Sequence, residues 1–198
     1  MKAFPLALIL GCPLAIGGAA LAAGGMGADA SGPASRIQVA MTIYAGGIVL
    51  GKMDMDATVR GGKYQAVSDL TTSGVVNAFW QAEIQATSSG KMGTGALSPA
   101  LYDSFDINRA GKKQEVSLTY DGGDPPRLYA DPPYSTTGYD VKPEDRKATF
   151  DPLSAVMFIV SGAGAGANPC AVTAPVFDGR RRYNIEMTKV RDIDIKMD

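Results

Sequence analysis

The sequence predicts an all-β protein, mainly antiparallel, in which a curved meander sheet closes or half-closes around one buried apolar helix. Three observations predict it. Apolar side chains recur at every second position in run after run, the mark of strands with one buried face. Short glycine turns separate those runs, as in antiparallel hairpins. One segment, "DPLSAVMFIV" (151–160), is instead apolar on every side, as a buried helix is. No strand–helix–strand repeat appears, which argues against an open parallel sheet with a cofactor crevice.

The first strand is "RIQVAMTIY" (36–44). Ile37, Val39, Met41 and Ile43 share one face, and Arg36, Gln38 and Thr42 the other. "AGG" (45–47) turns the chain into "IVLGKMDMDATVR" (48–60). There Val49, Met53, Met55, Ala57 and Val59 oppose Lys52, Asp54, Asp56, Thr58 and Arg60. Gly61 and Gly62 turn it again into "KYQAVSDLTT" (63–72). From Trp80 onward, Trp80, Ala82, Ile84 and Ala86 alternate with Gln81, Glu83, Gln85 and Thr87, which predicts another strand. Two more come after it, around Tyr102–Arg109 and Gln114–Tyr120. "DGGDPP" and "DPPYSTTG" read as loops, because proline cannot donate to a strand ladder.

The helix opens on Asp151 as N-cap and Pro152 at its first position. "SGAGAGA" (161–167) ends it. This glycine run comes after a helix and lacks the lysine and hydroxyl residue of a phosphate loop. "AVTAPVF" and "RRRYNIEMTKV" then flank Asp178-Gly179, a strong hairpin signal. "RDIDIKMD" (191–198) closes with Ile193, Ile195 and Met197 alternating against charges, the pattern of an edge strand.

Composition narrows the function. The chain has 198 residues and a net charge of −1. It carries no basic stripe with interleaved aromatics, so no nucleic-acid partner is expected. It contains no histidine. That excludes serine–histidine and cysteine–histidine nucleophiles and histidine-bearing zinc sites. No cofactor motif, metal-ligand set or catalytic residue emerges. The acidic pairs Asp54/Asp56 and Asp192/Asp194 each lie on one strand face and lack the loop of a calcium site. A carboxylate-dependent hydrolase is a remote alternative, since nothing separates these carboxylates from an ordinary polar face.

The N-terminus reads as an export signal over residues 1–22, then a disordered leader (23–35) and one β domain (36–198). Lys2 supplies the charged start, and Ala20-Leu21-Ala22 fits cleavage after Ala22 or Ala23. An uncleaved membrane anchor and lipidation at Cys12 are the alternatives. Cys170 is the one cysteine expected in the mature chain, and its neutral neighbours offer nothing to activate a thiolate.

The ordered series "YAGGIVLGKM", "TTSG", "SPALYDSF", "DPLSAVMF" and "NPCAVTAPVFDGRRRYNIEM" resembles a family of exported bacterial proteins, domain of unknown function 3108. The resemblance spans about Arg36 to Met187. It implies a half-barrel similar to periplasmic lipoprotein carriers, a periplasmic location and no known reaction. It also implies a further strand pair with a second cysteine beyond the hairpin, leaving Cys170 without that partner in this chain.

Two places are candidates for binding. Arg180 and Arg182, on one side of a strand that starts at the turn, would rim a site for an anion. In the other reading the arginines ride a solvated hairpin end, with Asp178 and Glu186 beside them. Leu153, Val156, Met157, Phe158 and Val160, with Trp80, would line a cavity for an apolar or amphipathic envelope molecule. Equally, they fill the sheet as core. The expected role is a non-catalytic periplasmic protein whose partner is a lipid or an envelope protein. The alternative is an assembly protein that pairs through a sheet edge.

Overall fold

The structure, a computed structural model, describes residues 33–74, 81–108, 111–122, 125–134, 141–163 and 170–191. Seven strands form one antiparallel meander: β1 (Ser35–Ala45), β2 (Ile48–Arg60), β3 (Lys63–Thr72), β4 (Ala82–Gly93), β5 (Ala96–Asn108), β6 (Lys113–Thr119) and β7 (Arg127–Asp131). Each pairs with its sequence neighbour, and the sheet does not close into a barrel. Next along the chain come a 3-10 turn (Pro143–Arg146), one helix, α1 (Pro152–Val160), and a separate hairpin of β8 (Thr173–Phe177) and β9 (Arg182–Glu186).

Period-two patterning sets the register. Arg60 pairs with Lys63 across Gly61-Gly62, whose φ values of +56° and +70° suit a two-residue turn that matches the strand twist. The inner face then collects Met53, Met55, Ala57, Tyr64, Ala66, Ala86, Leu97, Tyr102 and Leu118, all buried. The outer face is mixed, with Val67 and Tyr129 exposed among polar side chains. There Asp54 lies opposite Asp69, and Glu115 opposite Asp131.

The helix lies between two layers, which explains why it is apolar all round. It packs on β3, β4 and β5 on one side and on β8 on the other. Leu153 and Met157 join the sheet-facing core, while Ala155 and Ile159 pack with Val172, Ala174 and Val176 of the hairpin segment. Burial of a side chain such as Met157, which is 0% exposed, contributes about 1.5–3 kcal/mol. Asp151 caps the helix by accepting from the Ser154 amide at 2.9 Å, and Pro152 occupies the first turn. Phe150 ties the helix entry to β8: its amide donates to Pro175 O, and its carbonyl accepts from the Phe177 amide. Its ring stacks on Phe158 at 4.8 Å.

The all-β expectation holds, with corrections to its parts. β5 begins at Ala96, six residues before the expected Tyr102. Pro99 lies inside this strand, opposite Gly90 and beside a bulge at Ser89/Gly90. β7 occupies "RLYAD", which lies between two proline-bearing loops. As a short edge strand it tolerates such neighbours. β1 takes in Ser35, the last residue of the expected leader. The expected signal segment, Trp80 and the strand 192–198 lie outside the described residues.

Candidate functional site

The "FDGRRRY" run makes a wider turn than a two-residue hairpin. Phe177 pairs with Arg182, so residues 178–181 form the loop. The Asp178 carboxylate closes it, with Oδ1 accepting the amides of Arg180 at 2.8 Å and Arg181 at 2.6 Å. Such an Asp turn needs no β pairing at the arginines. The expectation that Arg180 and Arg182 share a strand face is therefore corrected: Arg180 is in the loop and Arg182 begins β9. Arg182 turns along its own strand and donates to Asn184 Oδ1 at 2.7 Å.

The loop tip docks on the sheet. Gly179 is buried, with φ +94°, and a Cβ there would lie 2.6 Å from Val116 Cγ1 and 3.1 Å from Leu128 Cδ1. Only a residue without a side chain lets the backbone rest on β6 and β7 at this distance. That docking carries Arg180 over the ring of Tyr134, 5.4 Å from its centroid.

A hollow of about 500 Å³ opens beside the tip. Its apolar lining includes Leu128, Ala130, Val141 and Phe177, and its cations are Arg180 and Arg146. Arg146 ends the 3-10 turn. Its guanidinium sits 5.1 Å from the Phe177 ring centroid, and Nε donates to Val141 O at 2.8 Å. Tyr129 and Tyr134 complete the lining with Pro133 and Gly179, and among the described residues no carboxylate lines it. Burial, and then the Asp178 carboxylate, hold the Tyr134 phenol above its usual range. Asp106, on β5, also acts on Tyr134; burial pushes its own carboxyl upward. A hollow lined by apolar side chains and two guanidinium groups suits one end of an amphipathic molecule.

Of the described residues expected to rim or line a site, the hollow contains Arg180 alone. Leu153 and Met157 are buried against the sheet, and Val156, Phe158 and Val160 pack half-buried around that core. Arg146, Tyr134 and Leu128 escaped sequence reasoning. Arg146 comes from a charged run, Tyr134 from a proline-bearing loop, and Leu128 from the short strand β7 between two such loops.

A second polar group lies in the interior. Asp151 is 0% exposed. Its Oδ2 accepts from the hydroxyls of Ser88, at 3.2 Å, and Ser154. The Ser154 hydroxyl also bonds Tyr64 OH at 2.6 Å. Burial pushes Asp151 up to about 6, against the lowering effect of these hydrogen bonds. Burial likewise raises the Tyr64 phenol to about 12. Gly90 makes room for Tyr64, its cross-strand partner: a Cβ at Gly90 would lie 2.8 Å from the ring and 2.3 Å from Ser98 O. Asp151, Ser154, Ser88 and Tyr64 line neither this hollow nor a second one on the outer face. That outer hollow, about 520 Å³, includes Asp69, Asp103 and Glu115. Among the described residues no group of His, Cys, Asp and Glu is placed to hold a metal ion.

A family model described as "Protein of unknown function (DUF3108)" matches residues 38–197. No curated protein and no solved structure matches the chain.

Proposed function

The chain belongs to the DUF3108 family of unknown function, and we propose that it is a non-catalytic binding protein of the bacterial cell envelope. It holds an amphipathic molecule in the hollow bounded by β7, the 3-10 turn and the hairpin tip. One observation carries this reading: two guanidinium groups, Arg146 over the Phe177 ring and Arg180 over the Tyr134 ring, line the same hollow as Leu128 and Val141. The N-terminal export pattern supports a periplasmic location, where amphipathic envelope molecules are at hand. The interior carboxyl supports a non-catalytic role, since both oxygens of Asp151 are engaged by Ser154 and Ser88. Native mass spectrometry of the mature chain after incubation with bacterial lipid extract tests the binding. A retained small molecule, lost in a Leu128→Asp variant, is the expected result. Recovery of ligand-free protein alone refutes the reading.

A second reading concerns β1. It is an edge strand of eleven residues whose sole charged side chain, Arg36, is turned onto Asp56 of β2. A long edge with so few blocking charges suits strand addition by an envelope partner. Crosslinking from an introduced Gln38→Cys in intact cells would capture that partner. Loss of the crosslink on Ala40→Pro is expected, and no specific crosslink rejects this reading.

A further inference from the structure

We infer that the head group received by this hollow is an organic anion, a carboxylate or a phosphate ester, held between Arg146 and Arg180. This rests on the binding reading above and names the ligand class for the same site.

Charge is the first argument. Among the described residues the lining holds two guanidinium groups and no carboxylate. Arg146 is half-buried and forms no salt bridge among the described residues; its Nε donates to the neutral carbonyl of Val141. A partly buried cation without a counter-ion is costly unless an anion arrives to share its field. Asp178, beside Arg180 in the loop, commits Oδ1 to two backbone amides.

Residue type is the second argument. Guanidinium presents a planar fork of donors that fits carboxylate and phosphate oxygens, and it stacks on aromatic rings. Both cations have such a ring beneath them: Phe177 under Arg146 and Tyr134 under Arg180. Preorganisation is the third. Gly179 against Val116 and the Asp178 turn fix the backbone that carries Arg180, and the Val141 carbonyl fixes Arg146. Groups held in place before binding lose less entropy when the ligand arrives. The tail then lies on Leu128, Val141 and Phe177.

The test uses the mature chain and four ligands with one tail: decanoate, decyl phosphate, decanol and decyltrimethylammonium, titrated by calorimetry at low salt. Either anion, or both, should bind about tenfold or more tightly than decanol, and the ammonium weakest. Which anion wins separates a carboxylate source from a phosphate source. Arg180→Gln should weaken the better anion about threefold or more and affect decanol less. Arg146→Gln should do the same where circular dichroism reports a folded protein, and the exposed Arg180 decides alone where it does not. Equal binding of decanol and both anions overturns the inference and leaves the amphiphile-binding reading standing. Failure of all four ligands to bind overturns both.

Discussion

Replacing Asp151 by Asn isolates the charge of a single interior carboxyl. The side chain is 0% exposed and caps α1 through the Ser154 amide. Asparagine preserves its volume and its capping oxygen. In the folded chain the carboxyl titrates at about 6, against an ordinary value of 3.8, because burial disfavours the anion more than the Ser154 and Ser88 hydrogen bonds favour it. The folded value lies above the unfolded one. The contribution of Asp151 to stability is therefore full below pH 3.8 and is lost as the pH rises through about 6. The rise from 3.8 to about 6 corresponds to about 3 kcal/mol, most of it lost between pH 4 and pH 7. The chain has no histidine to titrate in the same interval. Denaturant unfolding of both proteins at pH 4 and pH 7 is the assay. Asp151→Asn should gain about 2–3 kcal/mol on the wild type between pH 4 and pH 7, other groups cancelling in the comparison. A gap between the two proteins that stays constant with pH refutes the reasoning.

Other substitutions probe packing. Gly90→Ala forces a methyl group against Ser98 O at 2.3 Å and the Tyr64 ring at 2.8 Å, and should cost about 1–3 kcal/mol or more in thermal or denaturant unfolding. An unchanged midpoint would show that β4 and β5 shift freely. Met157→Ala empties a fully buried position under the sheet, with an expected cost of about 2–5 kcal/mol by the same measurement. Gly179→Ala places a methyl group 2.6 Å from Val116 at φ +94°. It should lower stability by about 1–3 kcal/mol and, by lifting the tip, weaken decanoate binding in the same calorimeter.

Legibility in the sequence depended on whether a pattern was local. β2 and β3 could be read residue by residue, since each buries one face and pairs with its neighbour in sequence. Asp151 was readable as a cap, because capping depends only on the next few residues of the chain. Its burial was not, because that depends on Ser88 of β4 and on the hairpin that closes over the helix. β7 hid between prolines. The hollow was the least legible part. It joins residues 128–146 to the distant hairpin tip at 177–180, and Arg146 looks like any residue of the charged run "KPEDRK" until the fold sets it over Phe177. The arginine run after Asp178 did draw attention to the right loop, though an alternating strand was the wrong geometry for it.

The position of α1 and the hairpin at the end of the chain bears on how the protein is made. Strands β1 to β7 zip up from neighbour contacts and can form in sequence as the polypeptide emerges. Until residues 150–187 arrive, however, that sheet lacks the helix and hairpin that cover its oily side. A nascent chain thus spends an interval as an uncovered wall, open to chaperones or to mispairing with another copy, and its last quarter is the cover that ends the hazard.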